Sequence, residues 1–180
     1  PYDRLYTHDH MLPWGRLRDL PSQSHRANVV VVTKCPTHMQ PIDRRIVSNT
    51  LQLASYQHLC YSSIGYAPIH LNGTPLIVTG IANPMPLLTH LQQQYPDTEL
   101  LAYSDHHIFT PQDVNRIMQK AEQYVCVVTT EKDYMRLLQT PLVEQLGDKL
   151  HVISIQTNLG IDKEAFDRQI LLYVSENNRK

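Results

Sequence analysis

The stretch Glu99-Leu100-Leu101-Ala102-Tyr103-Ser104-Asp105-His106-His107-Ile108-Phe109-Thr110-Pro111 decides how this chain is read. Its apolar opening, Glu99 to Tyr103, has the character of a buried strand. Asp105, His106 and His107 follow at once. Thr110-Pro111-Gln112-Asp113 then supplies a cap, a proline at the first helical position and an early carboxylate in order, a strong helix start. Polar groups just past the carboxyl end of a strand are where open α/β sheets place their chemistry. An Asp beside a His can bias the charge and tautomer of the imidazole near neutral pH. The competing reading is a polar turn and nothing more, because neighbours in sequence need not point at one site.

The same alternation extends in both directions. Asn28–Thr33 is a β-branched run suited to a strand buried on both faces. Pro75–Thr79, Tyr124–Thr129 and Leu150–Ile155 read as further strands. Between them lie helical patterns. Pro41 suits a first helical position, and Ile42, Ile46, Val47, Leu51 and Ala54 share one face. Leu87, Leu88, Leu91 and Tyr95 face inward from a helix over 84–95, and Val114, Ile117, Met118 and Ala121 from the helix that Thr110 caps. Thr130 caps a helix containing Tyr134 to Leu138, and a last helix starts at Asp162 with Phe166, Ile170 and Tyr173 inward. Strands separated by helices of this length imply right-handed β-α-β units. The expected fold class is α/β, a mostly parallel sheet with helices on both faces, Rossmann-like or P-loop-kinase-like. The expected organisation is an irregular segment over 1–27, an α/β domain over 28–176 with a hairpin linker near 65–75, and a charged tail over 177–180.

Composition is that of an ordinary globular protein: 180 residues, 42% hydrophobic, net charge −1. At this size about 70% of the unfolded surface can be buried. The charge is uneven: residues 1–50 hold seven Lys or Arg against four Asp or Glu, and the remainder nine against thirteen. The basic first segment suits an anionic surface, or is simply a solvated face. Cys35, Cys60 and Cys126 are an odd number without C-x-x-C spacing, which argues against a disulfide framework and a structural zinc site. The sequence has no 18-residue apolar run. It also has no G-x-x-x-x-G-K-[ST] loop, the element with which P-loop kinases cradle phosphates.

Five motifs then stand in order: Leu12-Pro13-Trp14-Gly15-Arg16-Leu17-Arg18-Asp19, Val31-Val32-Thr33-Lys34-Cys35-Pro36, Thr79-Gly80-Ile81-Ala82-Asn83-Pro84, the Asp105-His106-His107 turn, and Val128-Thr129-Thr130-Glu131-Lys132-Asp133. Together they resemble the tetraacyldisaccharide 4'-kinases, the lipid A 4'-kinases, over nearly the whole chain. The first motif departs from the family pattern Leu-Pro-x-Gly-x-Leu-Arg-Glu-Pro, with Asp19 in place of Glu and Leu20 in place of Pro. The resemblance is to the C-terminal half of such an enzyme; the nucleotide-binding half, with its Asp-Asp-Gly-Phe-Gln motif, is expected upstream of Pro1.

The resemblance implies ATP and Mg²⁺ as cofactors, and an acylated disaccharide lipid as acceptor at the cytoplasmic face of the bacterial inner membrane. Membrane contact would be peripheral and made through the full-length enzyme; nucleic acid is not an expected partner. It also implies a catalytic role for His106, paired with an Asp of the other half, with His107 as second choice and Asp105 as orienter. Arg18 is implied near the nucleotide, where an Arg can clamp phosphate oxygens bidentately. Asp19 is the candidate Mg²⁺ ligand, one methylene shorter than the family's Glu. Lys34, at a strand end, is a candidate phosphate contact or a solvated surface lysine. Thr130 and Asp133 carry a competing structural reading as cap and first-turn carboxylate. Two other functions compete: a metallophosphoesterase using Asp105-His106-His107 as metal ligands, and a non-catalytic module binding an anionic partner.

Overall fold

The computed structural model describes residues 1–177, so most of the tail expected over 177–180 lies outside the described residues. The chain divides into two compact units, Tyr66–Gln156 and Pro1–Gly65 with the stretch from Thr157 onward. Among the described residues the strands are β1 (Val29–Cys35), β2 (His58–Tyr66), β3 (Pro75–Thr79), β4 (Glu99–Ala102), β5 (Cys126–Thr130), β6 (Leu150–Ile153) and β7 (Ile155–Asn158). The α-helices are α1 (Pro41–Leu51), α2 (Met85–Gln92), α3 (Pro111–Ala121), α4 (Glu131–Leu137), α5 (Leu142–Leu146) and α6 (Lys163–Asn177).

The Tyr66–Gln156 unit holds a four-stranded, all-parallel sheet in the order β4-β3-β5-β6. Its strands are short and apolar because both faces are covered. Side chains alternate between faces at period two. Leu76, Val78, Leu101 and Val127 pack with Val114, Ile117 and Ala121 of α3, Leu137 of α4, and Leu142 and Leu146 of α5. Ile77, Cys126, Val128 and Ile153 pack on the opposite side with Leu87 and Leu91 of α2. Each Leu, Ile or Val among them contributes about 1.5–3 kcal/mol by leaving water. This is the expected α/β class, with helices on both faces.

Chain direction reverses within this sheet. From β3 the chain moves through α2 to β4 on one side; from β5 it moves through α4 and α5 to β6 on the other. The crevice between the carboxyl ends of β3 and β5 is therefore a topological switch point, where α/β sheets bind ligands.

The other unit carries a three-stranded sheet in the order β1-β2-β7. β1 and β2 run parallel, and their register slips between Val32 and Cys35, where Lys34 adopts a φ of 58°. Val32, Cys35, Val47, Leu51 and Tyr61 form its core. α1 starts as the sequence reading places it, with Pro41 in the first turn and a capping box between Gln40 and Asp43. Arg44 of α1 pairs with Asp162 at 3.0 Å and lies over the Tyr61 ring, while the other Asp162 oxygen accepts the Tyr61 N–H at 3.0 Å. Those contacts fasten α1 and β2 to the start of α6. The loop 11–17 is closed by Met11–Leu17 pairing, and Gly15 is required there: a Cβ would lie 2.2 Å from the His10 carbonyl oxygen.

Several sequence expectations resolve differently. The sequence reading places Asn28–Thr33 in one mostly parallel sheet with the later strands, but β1 belongs to the three-stranded sheet, so Thr33-Lys34 does not end a strand of the sheet that carries β3, β4 and β5. A run of valines is the same signal whichever sheet it joins. β2 runs to Tyr66 as one element paired with β1, and residues 67–71, within the stretch read as a hairpin linker, form no strand. On α1 only Val47 and Leu51 are buried, and Ile42 and Ile46, also four apart, form an adjoining exposed stripe. Of the three α6 residues expected to face inward, Ile170 and Tyr173 are exposed and Phe166 is half-buried.

Candidate functional site

The carboxyl ends of β3 and β5 converge on one buried carboxylate, Asp133. β5 ends at Thr130, and α4 begins at the next residue. This abrupt strand-to-helix turn is made by a reciprocal cap: the Asp133 N–H donates to Thr130 Oγ1 at 3.2 Å, and the Thr130 hydroxyl donates to Asp133 Oδ2 at 3.0 Å. The same Oδ2 accepts the Thr79 hydroxyl at 2.6 Å and the Gly80 N–H at 2.9 Å, both from the end of β3. Asp133 Oδ1 accepts from Arg136 Nη1 at 3.1 Å. Asp133 is 0% exposed. A buried charge of this kind persists only when paired and fully hydrogen-bonded, and four donors, one of them an arginine, meet that requirement.

Gly80 is favoured by close approach. A Cβ at this position would stand 3.0 Å from the Ser104 carbonyl oxygen and 3.5 Å from both Asp133 Oδ1 and His107 Cβ. The end of β3 is thereby pressed against the turn that follows β4.

That turn separates its two histidines. His106 holds a φ of 61°, a left-handed conformation uncommon for a residue other than glycine. Its N–H donates to Asp105 Oδ1 at 3.0 Å, and its side chain is 75% exposed. Arg136 Nη2 lies 3.1 Å from His106 Nδ1, and His106 Nε2 lies 3.6 Å from Asp105 Oδ2. Asp105 also pairs with Lys132 at 3.0 Å, and that hydrogen bond, before any other cause, holds its carboxyl below the usual range.

His107 turns the other way. Its ring stacks on Tyr103 at 4.7 Å and meets Phe109 edge-on, and its Nε2 lies 2.9 Å from Asp113 Oδ2. Asp113 is also the capping-box carboxylate of α3, accepting the Thr110 N–H at 2.8 Å. Burial pushes the Asp113 carboxyl upward, but hydrogen bonds from Thr110 and His107 outweigh it and leave the group below its ordinary value. The Tyr103 hydroxyl, buried in this cluster, has no hydrogen-bond partner.

Of the sequence-predicted site residues, the structure thus brings Asp105 and His106 together with Lys132, Asp133 and Arg136, and turns His107 toward Asp113. Arg18, Asp19 and Lys34 belong to the other unit, and all three are exposed. There Asp19 accepts the Leu20 N–H at 2.8 Å and pairs with Arg26 at 3.4 Å. Sequence reasoning missed Arg136. The available signal was its position three residues after Asp133 on a helix, which places both on one face. Among the described residues, no group of three or more His, Cys, Asp and Glu side chains is arranged to hold a metal ion, and no helix is long and apolar enough to cross a membrane.

A four-stranded parallel sheet flanked by helices, with a polar cluster at its switch point, defines an α/β fold of the doubly wound kind. The chain belongs to the tetraacyldisaccharide-1-P 4'-kinase family, whose model matches residues 2–175. The tetraacyldisaccharide 4'-kinase of Bacteroides thetaiotaomicron is 34% identical over 99% of this chain and 54% of its own length. The enzyme of the same name from Phocaeicola vulgatus is 35% identical over the same shares, and that of Flavobacterium johnsoniae 34% identical over 98% of this chain. The chain spans about half the length of these curated relatives. A crystal structure of "apo" form LpxK from Aquifex aeolicus in complex with ATP superposes on 87% of this chain and 46% of its own, with a TM-score of 0.49 and 14% sequence identity.

Two outcomes follow from this geometry. Asp133→Ala should cost about 3–5 kcal/mol in chemical denaturation, because it strands Arg136 and three buried donors, while Asp133→Asn, which keeps an acceptor oxygen, should cost roughly 1–3 kcal/mol. Because the folded Asp113 carboxyl lies below its free value of about 3.9, its contribution is complete above that pH and is lost as pH falls through the folded value. Acid unfolding of Asp113→Asn should therefore be shallower than that of the native chain in this window.

Proposed function

We propose that this chain is the C-terminal part of a kinase that transfers the γ-phosphate of ATP to the 4'-hydroxyl of a tetraacyldisaccharide 1-phosphate in lipid A biosynthesis. The observation that carries the reading is family membership over residues 2–175. The cluster at the switch point supports it. On this reading the irregular segment 1–27 continues from a nucleotide-binding half, and the α/β residues 28–176 complete the enzyme. The acceptor is a membrane lipid, so the full-length enzyme works in peripheral contact with the cytoplasmic face of the inner membrane.

In such a transfer the sugar oxygen bonds to the γ-phosphorus, the bridging bond to ADP breaks, and the hydroxyl proton passes to a base. Positioning and charge stabilisation dominate such a step. His106 is the exposed imidazole of the switch-point cluster and supports the base. Asp105 orients the turn by holding the His106 N–H. His107 is the second choice, and its contacts with Tyr103, Phe109 and Asp113 fit a packing role. Arg18 clamps phosphate oxygens, and Lys34 contributes a cationic contact. Asp19 fits Mg²⁺ as a single carboxylate ligand: it is exposed, accepts the Leu20 N–H and pairs with Arg26; Mg²⁺ commonly takes one or two carboxylates with phosphates and water. When bound, Mg²⁺ neutralises charge on the transferring phosphate.

The test is kinetic. In the full-length enzyme His106→Ala should lower kcat by roughly 10²–10⁴-fold with little change in the KM for ATP, the signature of a group that acts in the transition state. His107→Ala should cost much less. The 180-residue chain alone, lacking a phosphate loop, should turn over no ATP. A kcat for His106→Ala within about threefold of the native enzyme removes His106 from the chemistry.

A further inference from the structure

The contact between Arg136 and His106 constrains where the imidazole proton sits. A guanidinium nitrogen only donates; it has no acceptor lone pair. With Arg136 Nη2 at 3.1 Å, His106 Nδ1 must therefore be the acceptor, and the ring proton resides on Nε2. The Nε2–H tautomer donates outward. It is not the form in which Nε2 takes a proton from a substrate.

Arg136 is well placed to impose this choice. Its fork spans two residues: Nη1 lies on the buried Asp133 carboxylate and Nη2 on His106. Asp133 is itself immobilised by the Thr79 hydroxyl, the Gly80 N–H and the Thr130 hydroxyl. Position is transmitted from the ends of β3 and β5, through a carboxylate and a guanidinium, to the ring. The His106 backbone is held separately, by Asp105 Oδ1 on its N–H and by the turn closed from His107 N–H to the Ser104 carbonyl at 3.1 Å. A left-handed residue fixed from both sides stores strain of the kind that collects at working sites. Asp105 Oδ2 lies 3.6 Å from Nε2, beyond hydrogen-bond reach. The outer nitrogen is left on a side chain that is three-quarters exposed.

We infer that Arg136 is a positioning residue that holds His106 as its Nε2–H tautomer, so that His106 serves phosphoryl transfer as a hydrogen-bond donor at Nε2 and not as the proton acceptor itself. The inference rests on the kinase reading for its functional half, and on the structure alone for the tautomer.

The test has two arms. In the first, ¹⁵N NMR of the histidine-labelled 180-residue chain reads the tautomer directly, at a pH where the exposed imidazoles are neutral. The native chain should show His106 Nδ1 as the bare nitrogen and Nε2 protonated. Arg136→Met, of similar length but without donors, should return His106 to a mixture of tautomers. Arg136→Lys, whose ammonium still donates, should restore the native pattern. A proton on Nδ1 in the native chain, or a tautomer unmoved by Arg136→Met, overturns the inference. Should Arg136→Met not fold, the native spectrum still decides.

In the second arm, Arg136→Met in the full-length enzyme should lower kcat roughly 10²-fold, the scale of a misplaced catalytic group, with Arg136→Lys recovering most of it. If His106→Ala abolishes turnover but Arg136→Met leaves it intact, the positioning role fails and the kinase reading stands. If neither substitution affects turnover, the kinase role of the turn fails with it.

Discussion

Asp133 carries a charge with no access to water, and its four bonds tie together segments that sequence keeps far apart. An unpaired carboxylate in that position would cost several kcal/mol. Its partners are therefore obligatory: the hydroxyl and amide at the end of β3, the cap hydroxyl at the end of β5, and the guanidinium of α4. Meeting this demand brings the carboxyl ends of β3 and β5 together at the switch point. It also sets Gly80 against the Ser104 carbonyl, and so fixes how near the turn after β4 can come. The polar geometry of the site follows from satisfying one buried anion.

Two adjacent histidines leave that turn with opposite fates, and the difference is one of partners. His107 finds an aromatic pair and the capping carboxylate of α3, which makes it part of the frame. His106 is bent outward by a left-handed backbone and tethered by Arg136 at one nitrogen. The frame residue is replaceable by packing; the outward residue is not, if chemistry depends on where its proton sits. The same helix start, Thr110 to Asp113, serves both α3 and His107.

Much of this was legible in the sequence. Thr110-Pro111-Gln112-Asp113 announced a capped helix, and Thr130 with Asp133 announced another, because caps are local chemistry read from a few neighbouring residues. The strand ends carrying Thr79-Gly80, Asp105-His106-His107 and Thr130-Asp133 were placed correctly because short apolar runs bounded by polar turns are unambiguous when helices alternate with them. The long-range pairings were not legible. Asp133 read as a first-turn carboxylate, which it is, but its reach to Gly80 crosses more than fifty residues and has no local signature. Arg136 was passed over because a helical arginine is ordinarily a solvated one. The valine run of β1 revealed a buried strand without revealing which sheet it joins. On α1 and α6, hydrophobic periodicity named a stripe, yet the stripe that is covered depends on what lies against it.

The central claim is that the Asp133 carboxylate holds the end of β3, and amide hydrogen exchange at Gly80 tests it most directly. The Gly80 N–H lies outside the strand ladder, so local backbone structure alone gives it little protection. Bonded to a buried carboxylate, it should open only with the unit and exchange with the free energy of the β3 and β5 core amides. In Asp133→Asn it should exchange faster while those core amides keep their order. A Gly80 amide that exchanges like an exposed loop in the native chain, or one that Asp133→Asn leaves unchanged, would contradict the account.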